Sequence, residues 1–162
     1  MKIGYFRSEL KNQIMLRIIS NQDIVKALVI DKEDFLNVTP TSEQAILLAS
    51  PELLIRTQLF PHKNVTVKMN MDKVFLTMSF MDFEKKGMQY QRGMVYFHVL
   101  VPNSLEKTTE GSRYDYIMEK LEEIFGDRGI GKFEFYRSSD MVIDDNYMGS
   151  YVAFEILDFY GW

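Results

Sequence analysis

Not one of the 162 residues is a cysteine. Disulfides, thiolate zinc sites and cysteine-held iron–sulfur clusters are therefore excluded, and the absence suits a reducing compartment. Histidine is nearly as scarce. His62 and His98 stand alone, so the HExxH spacing that puts two imidazoles on one helix face is missing. No G-x-S-x-G elbow or P-loop occurs either. No apolar run approaches the ~20 residues of a membrane-spanning helix. The opening "MKIGYFRSELKNQIM" carries Arg7, Glu9 and Lys11, which break up the apolar stretch of a secretory leader. We expect a soluble chain made in the cytoplasm, with no membrane contact. Positive charge is in short supply too: 19 Lys and Arg stand against 23 Asp and Glu, for a net −4. A chain of this balance lacks the basic footprint that grips nucleic acid.

What is present is an ordinary globular mix, 46% hydrophobic and 26% charged, of a length that suits one domain spanning 1–162. Residues 1–60 read as helical. Leu10, Ile14 and Ile18 keep helical spacing, and "QDIVKALVI", "SEQAILLA" and "SPELLIRTQL" follow as short helices, the last with Ser50 as N-cap and Pro51 behind it. Pro61 ends this part, and 61–73 reads as an extended polar arm. Residues 74–162 read as ββαββ. Val74, Leu76, Met78 and Phe80 alternate in the first strand, and Val95, Phe97, Val99 and Val101 in the second, with a polar hairpin over 84–92 between them. "KFEFYR" and "GSYVAFEILDF" supply two more strands around a loop at 138–149. The expectation is an α+β fold: a mainly antiparallel four-stranded sheet with helices packed on one face.

Chemistry-bearing clusters are few. In "EGSRYDYIMEKLEEIFGDRGIG", Ser112 and Asp115 have capping-box spacing, Tyr114, Ile117, Leu121 and Ile124 form an apolar stripe, and Gly126 stands where a helix-stopping glycine belongs. Arg113 is left over, for an ion pair to a neighbouring strand or subunit. Gly126, Gly129 and Gly131 follow a helix and precede a strand, the reverse of a dinucleotide-binding loop. Asp140, Asp144 and Asp145 crowd one loop without an EF-hand pattern. With His98 they allow a second reading, a small metal-dependent hydrolase or nuclease. His98 itself reads as half-exposed on the polar face of the sheet. No catalytic, cofactor-binding or metal-binding residue is assigned.

The order of segments resembles the small neck or tail-completion proteins of tailed bacteriophages. The resemblance is carried by "LFPH", by the strand pair at Lys73–Phe83 and Gly93–Val101, by "GSRYDYIMEKLEEIF", by "GIGKFEFYRSSD" and by the closing "YMGSYVAFEILDF". Arg113, Asp115 and Ile117 match an Arg-x-Asp-x-Ile segment of that family, and Gly129, Ile130 and Gly131 its later turn. The resemblance implies a virion protein, not an enzyme: a tail-terminator or head–tail joining subunit in a homo-oligomeric ring, hexamer or dodecamer. Such a ring contacts connector and tail-tube proteins while DNA passes through its lumen. Tail tube and head completion are the neighbouring roles. Interface candidates on this basis are Arg113, Asp115, His62, Lys85, Lys86, Arg92, Asp144 and Asp145.

Overall fold

A computed structural model describes residues 3–63, 72–86, 90–126 and 132–159. Helix α1 spans Ile3–Ile19, α2 Gln22–Val29 and α3 Ser42–Ala49, followed by a 3-10 turn at Pro51–Leu54. The strands are β1 (Leu59–Phe60), β2 (Phe75–Lys86), β3 (Tyr90–Pro102), β4 (Lys107–Thr108) and β5 (Gly111–Ser112); after α4 (Arg113–Phe125) come β6 (Lys132–Val142) and β7 (Tyr147–Phe159). The main sheet has five strands in the order β1-β2-β3-β7-β6. All neighbours are antiparallel except β1, which runs parallel to β2. Strands β4 and β5 form a separate two-residue ladder just ahead of α4.

The α+β class stands, but the sheet is mixed and five-stranded. The added strand comes from the segment expected to be the last N-terminal helix. Beyond Leu54 the chain leaves the helix, with Arg56 at φ 68°, and Leu59 and Phe60 pair with Leu76 and Thr77. Ser50 makes no side-chain cap there. Strand β6 likewise runs on to Val142, through residues expected to be loop, and the 84–92 hairpin is mostly ladder. Residues 64–71 of the expected arm, and Gly129, Ile130 and Gly131, lie outside the described residues.

Period-two alternation delivers one face of β2, β3 and β7 to the core. Val95, Phe97, Val99, Val152, Phe154 and Ile156 are all buried there. Helix α4 covers them with Ile117, Leu121 and Phe125, and α1 adds Leu10, Ile14 and Ile18. A second small cluster, Phe60, Phe75, Leu100 and Tyr147, closes one end of the sheet.

Helix starts follow the caps. Asn21 accepts from the Ile24 amide at 3.0 Å, and Thr41 and Gln44 form a reciprocal capping box. Ser112 accepts from the Asp115 amide at 3.4 Å, without the return bond of a capping box. Gly126 does cap α4, but in right-handed geometry (φ −71°), its amide donating to Glu122 at 2.6 Å. The left-handed freedom of glycine is not what ends this helix.

Candidate functional site

Arg113 is the first residue of α4 and is 1% exposed. Its Nε donates to Leu105 O at 2.7 Å, its Nη1 to Ala27 O and Ile30 O at 2.9 Å each, and its Nη2 to Lys32 O at 2.9 Å. The guanidinium also lies over the Phe35 ring, 4.8 Å from its centroid. The last carbonyls of a helix have no partners within it. Here one planar, five-donor group collects those at the end of α2 and ties them to the start of α4. Burial lowers the Arg113 pKa, while Glu106 and Asp31 act against that shift. The group stays charged all the same. Glu106 has its own pKa raised by burial and accepts the Ser112 hydroxyl. Arg113, expected to pair with a neighbouring strand or with another subunit, thus has four of its five N–H donors on carbonyls of its own chain.

The other candidates are scattered. Asp115 is exposed on the first turn of α4. Half-buried His62 rests 5.7 Å from the Phe60 ring, beside the small second cluster. Lys85 and Lys86 pair along the backbone with Gln91 and Tyr90. Arg92 forms an ion pair with Glu155 across β3 and β7. Asp144 accepts from the amides of Asn146 (2.7 Å) and Tyr147 (2.9 Å) and so shapes the β6–β7 turn. The Asp145 carbonyl takes the Asn103 side chain at 2.8 Å. Among the described residues no three His, Asp or Glu side chains gather as a metal site.

His98 is 9% exposed rather than half-exposed. The rings of Tyr96 and Tyr151 flank it at 6.2 and 6.3 Å, and its Nδ1 has no hydrogen-bond partner among the described residues. Burial first, and Lys63 second, push its pKa down from 6.5 to about 4. Between those values the unfolded chain binds the extra proton and the folded chain does not, so stability is complete above about pH 6.5 and falls as pH drops toward 4. The expected loss is about 2–3 kcal/mol. Urea unfolding of wild type and His98→Phe at about pH 7.5 and about pH 4.5 checks this, since the variant's loss on acidification is expected to be smaller by that amount.

The feature that stands out for recognition is the outer edge of β6. Among the described residues it has a partner, β7, on one side only. Every side chain from Glu134 to Asp140 is exposed, including Phe135 (51%) and Tyr136 (54%). Arg137, next to a bulge between Phe135 and Arg137, donates to the Tyr96 hydroxyl at 3.2 Å and lies near the Tyr136 and Tyr151 rings. The opposite edge is partly covered: Arg7 of α1 donates to Phe80 O at 3.5 Å. Strand β1 covers only Leu76 and Thr77 of β2, and beyond them a bulge between Met81 and Glu84 holds Asp82 at φ 54°.

No curated protein matches this chain. A family model described as YomW matches residues 21–156, which takes in α2 through nearly all of β7. The name resembles that of a gene product from a Bacillus phage region, which suggests a phage-related family and assigns no position in a virion. On a match of that extent, the chain belongs to the YomW family.

Proposed function

We propose that this chain is a structural subunit of a tailed-phage virion, which joins copies of itself and neck or tail proteins into a ring at the head–tail junction. The observation that carries the reading is the long, bare edge of β6. An exposed edge strand presents unpaired amides and carbonyls, a template for another chain that folded proteins ordinarily keep short or covered. Here it is 11 residues long and bears two half-exposed aromatic rings, the residue types enriched at protein interfaces. A second edge, on β2 at the far side of the same sheet, is paired with β1 only at Leu76 and Thr77 and touched by Arg7 at Phe80. Two different edges on one subunit suit a head-to-tail contact, which closes into a ring when the rotation allows. A net charge of −4 suits a lumen through which DNA slides without adhering.

The test is native mass spectrometry of the purified chain, alone and mixed with isolated neck and tail proteins of the phage. The wild type is expected to form a closed oligomer or to join those proteins. The Phe135→Lys, Tyr136→Lys double variant is expected to do neither, with its circular dichroism and Tm unchanged. A wild-type chain that stays monomeric at high concentration and binds none of those proteins would sink the proposal.

A further inference from the structure

A cavity of about 620 Å³ opens between the end of α2, helix α3 and the approach to β2. That lies within the roughly 300–1,000 Å³ of ordinary ligand pockets. Its apolar side is built by Leu28, Ile30, Leu47 and Val74, and its charged groups are Asp31, Glu43, Asp72 and Lys73. Three carboxylates face one ammonium; Arg113, buried behind the rim, offsets part of the Asp31 charge and leaves Glu43 and Asp72 to set the sign of the mouth.

Gln58 sharpens the chemistry. It lines the cavity and is 4% exposed. Its amide nitrogen donates to Leu28 O at 2.6 Å and Val74 O at 3.0 Å. Two carbonyl partners require the nitrogen on that side, which fixes the amide's orientation. No hydrogen bond reaches the amide oxygen among the described residues. An acceptor that no described donor reaches, on a side chain otherwise buried, thus opens into a cavity ringed by carboxylates. Asp31 is positioned there by the Gln44 side chain, which donates to it at 3.0 Å. Gln44 is in turn held by its capping box with Thr41, so the rim is built into the start of α3.

We infer that this cavity receives a lysine or arginine side chain from a protein partner. The aliphatic stem lies along Leu28, Ile30, Leu47 and Val74, and the cationic head donates to Gln58 Oε1 and the carboxylates. The complementarity is of charge and of hydrogen-bonding sense: the site offers acceptors, and a basic head group offers only donors. Ile46, on the rim and 59% exposed, gives the backbone flanking that side chain an apolar surface to cover, which favours a peptide over a free amine. The cavity is lined by elements other than β6, so it stands whether or not the ring reading does.

The experiment uses the full chain and a blocked peptide, Ser-Leu-Lys-Leu-Ser, followed by amide chemical shifts. Binding is expected to move the resonances of Gln58 and Leu47. Replacing the peptide's lysine with norleucine, which keeps the stem and removes the charge, is expected to weaken binding about tenfold or more. Glu43→Lys is expected to weaken the lysine peptide several-fold and Lys73→Glu to tighten it, while Glu119→Lys, on the exposed side of α4, leaves it unchanged. The inference fails if the lysine and norleucine peptides bind alike, if Gln58 and Leu47 do not respond, or if pentylammonium binds as tightly as the peptide, which would make this a small-amine site.

Discussion

Arg113→Met is expected to lower the stability of the chain by about 3–5 kcal/mol, the range for leaving buried polar partners uncompensated. Methionine preserves much of the volume and the contact with Phe35, so packing loss is kept small. What disappears is the set of four bonds to Leu105, Ala27, Ile30 and Lys32 carbonyls. The Ala27, Ile30 and Lys32 carbonyls lie at or just past the end of α2 and that of Leu105 in the turn after β3, and among the described residues no other donor reaches them. Glu106 and Asp31 also lose the cation that offsets their charge. At about 2–4 °C per kcal/mol for a chain of this size, Tm should fall by around 10 °C. Arg113→Lys should recover only part of this, because one ammonium on a flexible stem cannot address carbonyls spread around a planar fork. Thermal unfolding of the three proteins decides the matter. If Arg113→Met costs less than about 1 kcal/mol, the guanidinium is not the tie between α2 and α4.

The sequence marked Arg113 without revealing its job. A cation on the first turn of a helix opposes the helix dipole, so the residue needed a reason that capping could not supply. That reason lay some eighty residues away, in carbonyls at the end of α2. Local spacing carries no record of such a partner. The strands facing the helices were legible because one wet and one dry face impose alternation: Val95, Phe97 and Val99 could be read directly. The later part of β6 was not. Ser138, Ser139 and Asp140 of this edge strand are exposed on both faces, so nothing forces its residues to alternate, and it passes for loop. Strand β1 is two residues long, too short to show any period, and it exists because Leu76 and Thr77 offer a backbone to pair with. Helix α3 was legible, yet none of its residues is buried, and its role as a cavity wall could not be foreseen. Gln58 offered no signal either, since a buried glutamine is recognised only by the carbonyls it meets.

Phe125→Ala should produce the second large loss, about 3–5 kcal/mol, through a different mechanism. The ring is the last residue of α4 and is fully buried. It stacks on Phe97 at 5.2 Å, packs against Phe133 at 5.2 Å and meets Phe154 edge-on at 6.3 Å. Those three rings come from β3, β6 and β7, so one side chain fastens the end of the helix to three strands. Truncation leaves a cavity among rigid rings that cannot easily collapse, which favours the upper part of the range. Phe125→Leu, which refills most of that space, should cost less than about 1.5 kcal/mol. Arg17 adds a further contact from α1: it lies 5.4 Å over the Phe125 ring and donates to the Ile124 carbonyl at 2.9 Å. A double-mutant cycle between Arg17→Ala and Phe125→Leu should therefore show a coupling of about 0.5–1 kcal/mol. Two strands of this aromatic group, β3 and β7, are central in the sheet, whereas β6 is an edge strand. If Phe125→Ala also loosens the amides of β6 in hydrogen exchange before those of β3, the ring is what holds that edge in register. Equal loosening of both strands would mean that it only stabilises the domain as a whole.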